Sequence, residues 1–220
     1  MESHKKQYNY VKQFTDIYDK KMWIGGGSGS GSSPILLKGY MRILSEFIKL
    51  NNIKTISDVG CGDWQFSKLL DFSEIDKYIG YDVVESLIQK NIREFKKHNI
   101  DFKYYTGNFD EVEGADLVIC KDVLQHLPDS EIHKFLKILP KFKYALIAND
   151  TSTYKEKLNK PLEQDILLSG CGRTLDLKLP PFSLDCKTVY KIDRSFERRH
   201  TILVELWCAD WAGVKIPAVE

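Results

Sequence analysis

Several absences bound this chain before any motif is read. Cysteine is sparse, five in 220 residues, and Cys61, Cys120, Cys171, Cys186 and Cys208 are widely spaced, odd in number and free of any CxxC pair. That excludes a disulfide framework, argues against a zinc site, and fits a reducing, cytoplasmic setting. No apolar run approaches a membrane span, and the polar start M-E-S-H-K-K has no signal-peptide core, so no membrane association is expected. An excess of charge is missing too: 32 Lys and Arg against 31 Asp and Glu leave a formal +1. Nothing global draws the chain to nucleic acid, and no nucleic-acid partner is expected. The one concentrated basic cluster, Arg194, Arg198, Arg199 and His200, reads as the solvated tip of a hairpin. What is present is ordinary for a globular protein: 43% hydrophobic and 29% charged residues, enough length for one core, with a homodimer allowed.

The chain is organised around Thr55–Ser67, T-I-S-D-V-G-C-G-D-W-Q-F-S. Thr55–Val59 reads as a short buried strand, and Gly60 and Gly62 as a turn with no Cβ to obstruct a ligand. Phe66, Leu69 and Leu70 at helical spacing predict a helix from near Asp63. The dinucleotide fingerprint needs a third glycine where this chain has Trp64, so dinucleotide binding is disfavoured. About 20 residues past the turn, Asp82 ends the strand-like run Lys77–Asp82, placed to bond two ribose hydroxyls. Asp82 as a plain surface acid is the bland alternative.

Around this centre the pattern alternates. Residues 1–24 carry Tyr8, Val11, Phe14, Ile17 and Tyr18 at spacings of three and four, predicting an amphipathic helix that lies across the sheet or covers a cleft. The run from Trp23 to Pro34 reads either as a flexible, even spliced-in, linker or as an anion-binding nest of successive N–H groups with the Ser28, Ser30, Ser32 and Ser33 hydroxyls. Ser33 is a fitting N-cap and Pro34 a fitting first residue for a helix whose apolar face is Leu36, Leu37, Tyr40, Leu44, Phe47 and Ile48. A helix over 84–97, a strand over 102–106, the turn Gly107–Asn108–Phe109, a strand over 115–120, a helix from Asp129 and a strand over 143–148 follow. Two last strands, near 188–192 and 201–207, form a hairpin. The alternation predicts a doubly wound, mostly parallel α/β sheet of Rossmann-like type.

Four strings carry a family resemblance: W-x-G-G-G-S-G-x-G-S, D-V-G-C-G-D-W-Q-F-S, I-C-K-D-V-L-Q-H-L-P and R-x-L-D-L-x-x-P-P-F. Together they resemble a group of class I S-adenosylmethionine-dependent methyltransferases. The resemblance implies seven strands with an antiparallel C-terminal hairpin. It divides the chain into a cap of residues 1–33 and a methyltransferase domain of residues 34–220. It places S-adenosylmethionine, with S-adenosylhomocysteine as product, against Asp58, Gly60, Cys61, Gly62, Trp64, Asp82, Val83, Asn108, Phe109 and Lys121, with help from Gly27, Ser28 and Ser30. The adenine-binding acid common after the third strand is replaced by Asn108, then Asp110.

Methyl transfer to a hydroxyl needs a positioned acceptor and a proton acceptor at the carboxyl edge. His126 is the first candidate, since imidazole titrates near neutrality, with Asp122 and Asp150 as alternatives. The polar, proline-marked segment 170–182 reads as a substrate loop, in which Arg173 grips an anion, Asp176 binds sugar hydroxyls and Phe182 stacks. A simple Arg173–Asp176 ion pair and a core role for Phe182 are the bland readings. No metal is assigned. The acceptor expected is a small molecule or carbohydrate hydroxyl, anionic or nucleotide-linked; an RNA or protein methylase and a non-catalytic cofactor-binding module are the alternatives.

Overall fold

The computed structural model describes residues 9–23, 26–151, 158–161, 172–194 and 200–218, with backbone alone for Ser30, 192–194, 200 and 201. Seven strands form one sheet: β1 (Thr55–Val59), β2 (Lys77–Asp82), β3 (Ile100–Tyr104), β4 (Ala115–Lys121), β5 (Phe142–Thr151), β6 (Lys187–Arg194) and β7 (His200–Cys208). Their order is β3-β2-β1-β4-β5-β7-β6, parallel through β5, with β7 antiparallel to both β5 and β6. The expected fold class and hairpin are therefore present.

Helices α1 (Tyr10–Asp19), α2 (Lys38–Leu50), α3 (Glu85–Phe95) and α4 (Asp129–Ile138) cover the sheet. Both faces are packed, so β1 and β4 are buried on alternate sides rather than one. Tyr40, Leu44 and Phe47 of α2 pack with Ile56 and Ile119 on one face. Ile132 and Phe135 of α4 pack with Val59, Val118 and Ile147 on the other, where Tyr10, Phe14 and Tyr18 of α1 also settle. Asp116 pins the edge of β1 to β4 by accepting the N–H groups of Lys54 and Thr55, both at 3.0 Å. The chain leaves β1 for β2 on one side and has β4 on the other. This reversal opens a crevice outside the carboxyl ends of β1 and β4. Among the described residues no helix is long and apolar enough to cross a membrane.

Two local expectations fail. The helix predicted from near Asp63 is replaced by a single 3-10 turn, Ser67–Leu69, because Trp64 adopts φ +57°, a left-handed conformation that ends helical continuity. Helix α2 begins at Lys38 rather than at Pro34. Ser33 contributes its carbonyl to a turn, accepting the N–H groups of Leu36 and Leu37, and no side chain caps the helix. Of the expected basic tip, 195–199 and the side chains of Arg194 and His200 lie outside the described residues, as do Tyr8 and Cys171.

Candidate active site

The floor of the crevice is the turn after β1. Gly60 and Gly62 have φ of +76° and +57°, and the Gly60 and Cys61 N–H groups both reach the Tyr81 carbonyl, at 2.8 and 3.0 Å. A Cβ on Gly60 would lie 2.2 Å from Val123 Cγ2, so only glycine lets the loop after β4 close on the turn. Asp82 Oδ2 accepts the Gly62 N–H and Oδ1 the Val84 N–H, each at 3.0 Å. The Val83 N–H is a third backbone donor to this carboxylate, which still has lone-pair capacity for a ligand in the cleft that Asp82 lines. Burial pushes this carboxyl up to about 6, against the opposing pull of the N–H groups.

Asp58, at the end of β1, also lines the cleft while being 4% exposed. Its Oδ2 accepts the Tyr78 hydroxyl at 2.5 Å, and Tyr78 in turn accepts the Trp64 indole N–H at 2.8 Å. Burial raises the Asp58 carboxyl to about 6; the Tyr78 hydroxyl works in the opposite direction.

The far wall comes from the end of β4. Lys121 Nζ lies 2.5 Å from Asp122 Oδ2, 3.1 Å from the Gly31 carbonyl and over the Phe66 ring. Asp122 is held at φ +56°, a conformation costly for a residue with a Cβ and found mostly where the surroundings enforce it. Aromatic groups make the roof. Tyr10, Phe14 and Tyr18 of α1 and Trp23 face the cleft, with Tyr105 at its inner end. The roof is tied down at both ends: Tyr10 donates to the Gly107 carbonyl at 2.6 Å, and Tyr18 shares a 2.8 Å bond with Ser28 Oγ. Ser28 donates to Asp63 Oδ1 at 2.6 Å and accepts the Asp63 N–H. The Gly/Ser run is thus a strap across the cleft, and Ser28 serves that strap. Ser28 and Ser32 line the cleft, with the Ser28 hydroxyl held by Tyr18 and Asp63.

The cavity beneath the roof is about 70 Å³. Its chemistry fits S-adenosylmethionine: two cleft-facing carboxylates for an ammonium group and for ribose hydroxyls, backbone exposed by glycine, and Val83 and Tyr105 as apolar walls for a base. Among the described residues no three His, Cys, Asp or Glu side chains gather to hold a metal ion.

The remaining predicted residues stand elsewhere. Trp64 does not face the cleft: its ring is in the core, stacked on Phe72 and edge-on to Phe102. Phe109 is likewise core, against Phe135, and Asn108 caps the turn that follows it by accepting the Asp110 N–H. Gly27 lies outside the lining and packs on Asp63, while the Ser30 side chain is outside the described set. His126 stands one layer out, its ring against Phe14 and Trp23. Asp150 accompanies it, its N–H on Gln125.

Of the substrate loop expected at 170–182, Leu175 and Leu177 are fully buried, while 178–181 are exposed. Arg173 is engaged by Asp129 at 2.5 Å and by the carbonyls of Lys160 and Leu127, so its guanidinium is not presented to an anion. Asp176 accepts the Lys178 N–H in a local turn, and Phe182 packs on His133. Tyr10, Trp23, Tyr105, Gln65 and Phe66 line the cleft without having been singled out. Only the helical spacing of Phe14 and Tyr18 pointed to the roof.

Residues 57–141 match the model of a methyltransferase domain. The chain is 26% identical over 121 residues to the small RNA 2′-O-methyltransferase of Rattus norvegicus, covering 48% of this chain and 31% of that protein. It thus spans about a third of the length of the curated relative it matches. Among solved structures it resembles the methyltransferase domain of bacterial CtHen1 (TM-score 0.56, 16% identity, 79% of this chain and 100% of that one). A similar likeness holds for an S-adenosylmethionine-dependent methyltransferase from Anabaena variabilis (TM-score 0.58, 12% identity, 91% and 95%). Human N-acetylserotonin methyltransferase, solved with S-adenosylmethionine, is a third (TM-score 0.52, 17% identity, 78% and 52%). At these identities the structural likeness speaks for the fold.

Proposed function

From a chain with the class I S-adenosylmethionine-dependent methyltransferase fold and a matching methyltransferase domain, we propose that it O-methylates a hydroxyl of a small molecule or sugar. Anionic and nucleotide-linked sugars are included in that class. The observation that carries this reading is the Lys121–Asp122 pair, held at a left-handed backbone position beside the glycine turn and under an aromatic roof. A ring can stack on the roof while its hydroxyl meets the pair.

Asp82 holds the ribose hydroxyls, Asp58 the ammonium end, and Val83 and Tyr105 flank the adenine. S-adenosylmethionine held there would supply the electrophilic methyl that bonds the acceptor oxygen, its sulfur keeping the electron pair of the broken carbon–sulfur bond. Asp122 takes the hydroxyl proton as that bond forms, and Lys121 fixes its carboxylate in place. Asp122 takes this role over His126 because it reaches the cleft, whereas His126 backs the roof. Residues 1–33 act as a cap that excludes water once both ligands are in.

A second reading, methylation of an RNA 2′-hydroxyl, is favoured by the rat relative's name alone. Incubation with methyl-labelled S-adenosylmethionine separates the two. Label is expected in nucleotide sugars or sugar phosphates and lost in Asp122→Asn. Label entering short RNA and no sugar, with a steep fall on adding salt, would replace this reading with the second.

A further inference from the structure

Beneath the glycine turn lies a buried chain of hydrogen bonds that the chemistry above does not use. The left-handed backbone at Trp64 turns its indole inward, onto Phe72, Phe95 and Phe102. There its N–H meets the Tyr78 hydroxyl of β2, which meets Asp58 of β1. The direction of this chain is forced. An indole N–H can only donate, so Tyr78 accepts from Trp64 and its single proton points at Asp58. A tyrosine hydroxyl free to rotate could turn away; this one, 1% exposed and ringed by aromatics, is fixed.

We propose that Tyr78, anchored by Trp64, is a positioning residue for the cofactor: it binds one oxygen of Asp58 from below and aims the carboxylate at the α-ammonium of S-adenosylmethionine. This rests on the methyltransferase reading. Trp64 therefore contributes to the cofactor site from the core side of the turn, without lining the cleft.

Other groups act on the same carboxylate. Ser67 offers a second hydroxyl and Lys121 of β4 a positive charge, both favouring its ionised form, while Asp82 of β2 opposes it. Tyr40 of α2 and the thiols of Cys61 and Cys120 are also within its field. None of these replaces the short bond from Tyr78, so its removal leaves the buried charge less supported and easier to protonate.

The test uses two ligands titrated calorimetrically into the full chain: S-adenosylhomocysteine, and 5′-methylthioadenosine, which keeps the adenosine and lacks the amino-acid end. In Tyr78→Phe, affinity for S-adenosylhomocysteine at pH 7.5 is expected to fall about tenfold, and affinity for methylthioadenosine to stay unchanged. The fall in S-adenosylhomocysteine affinity on acidification, near pH 6 in the wild type, moves up by about one unit. Trp64→Phe keeps an aromatic ring in the core, loses the N–H together with part of the ring volume, and is expected to shift both readings the same way by less; it also serves if Tyr78→Phe folds poorly. In an Asp58→Asn background, Tyr78→Phe should add no further loss. Equal losses for both ligands, or none for either, would overturn the inference while the wild type still binds. A wild type that binds neither ligand would overturn the methyltransferase reading and this inference with it.

Discussion

At the floor of the cleft Asp58 and Asp82 are nearly buried, yet each keeps a face toward open volume; at the 172–186 segment Arg173 and Glu205 are also buried, but neither lines that cleft. Asp82 accepts the N–H groups of Gly62, Val83 and Val84 and has capacity left over. Arg173 is clamped between Asp129 and two carbonyls, and Glu205 accepts the Leu177 N–H and the Cys186 thiol. The difference separates a binding site from a brace. A buried charge that keeps unused lone pairs beside a cavity can receive a ligand, whereas one whose partners are all protein groups secures a segment.

This contrast predicts opposite responses to the loss of each charge. The largest effect on binding is expected from Asp82→Ala, which removes the carboxylate proposed to hold the ribose and should weaken S-adenosylhomocysteine binding by about a hundredfold, the scale of two hydrogen bonds to a charged group. Calorimetric titration checks it, and binding within a few-fold of wild type would move the ribose elsewhere. Next comes Arg173→Ala. It leaves Asp129 and the Leu127 carbonyl without their donor and should destabilise the fold by about 2 kcal/mol. Urea unfolding measures that cost, and cofactor affinity in the folded protein should hold. An intact fold that loses acceptor turnover instead would return Arg173 to the substrate loop first expected.

The two regions also differ in how far they could be read from the chain. The floor depends on short-range facts: two glycines one residue apart and an acid 20 positions on, each of which ends a strand. The sheet was legible for the same reason, since strand and helix periods alternate with short turns. Trp64 escaped because spacing counts residues and does not see that its backbone is left-handed, which turns a helix start into a 3-10 turn and sends the ring to the core. Arg173 escaped because its partner, Asp129, is 44 positions away and is brought near only by the packing of 172–177 on α4. The roof was half legible. Helical spacing found Phe14 and Tyr18, while Trp23 and Tyr105 sit in a strap and at a strand end, where no period applies.

The brace also carries an expected effect that turns on pH. Burial, with the neighbouring Asp176, raises the Glu205 carboxyl from an ordinary 4.5 to about 7. Between those values the unfolded chain has released its proton and the folded one has kept it. The folded state then binds more protons, so stability falls as pH rises from about 4.5 to about 7 and is level above. Glu205→Gln removes that slope while keeping an oxygen for the Leu177 N–H. Relative to wild type it should therefore gain about 3 kcal/mol on going from pH 4.5 to pH 8, read from paired urea curves. Asp58 and Asp82, also raised by burial, contribute slopes of the same sign that remain in both proteins and cancel in the comparison. Parallel stability profiles for the two proteins would mean that Glu205 titrates normally. The brace would then hold an ionised carboxylate, and Asp176 and Cys186 would have to reorient around it.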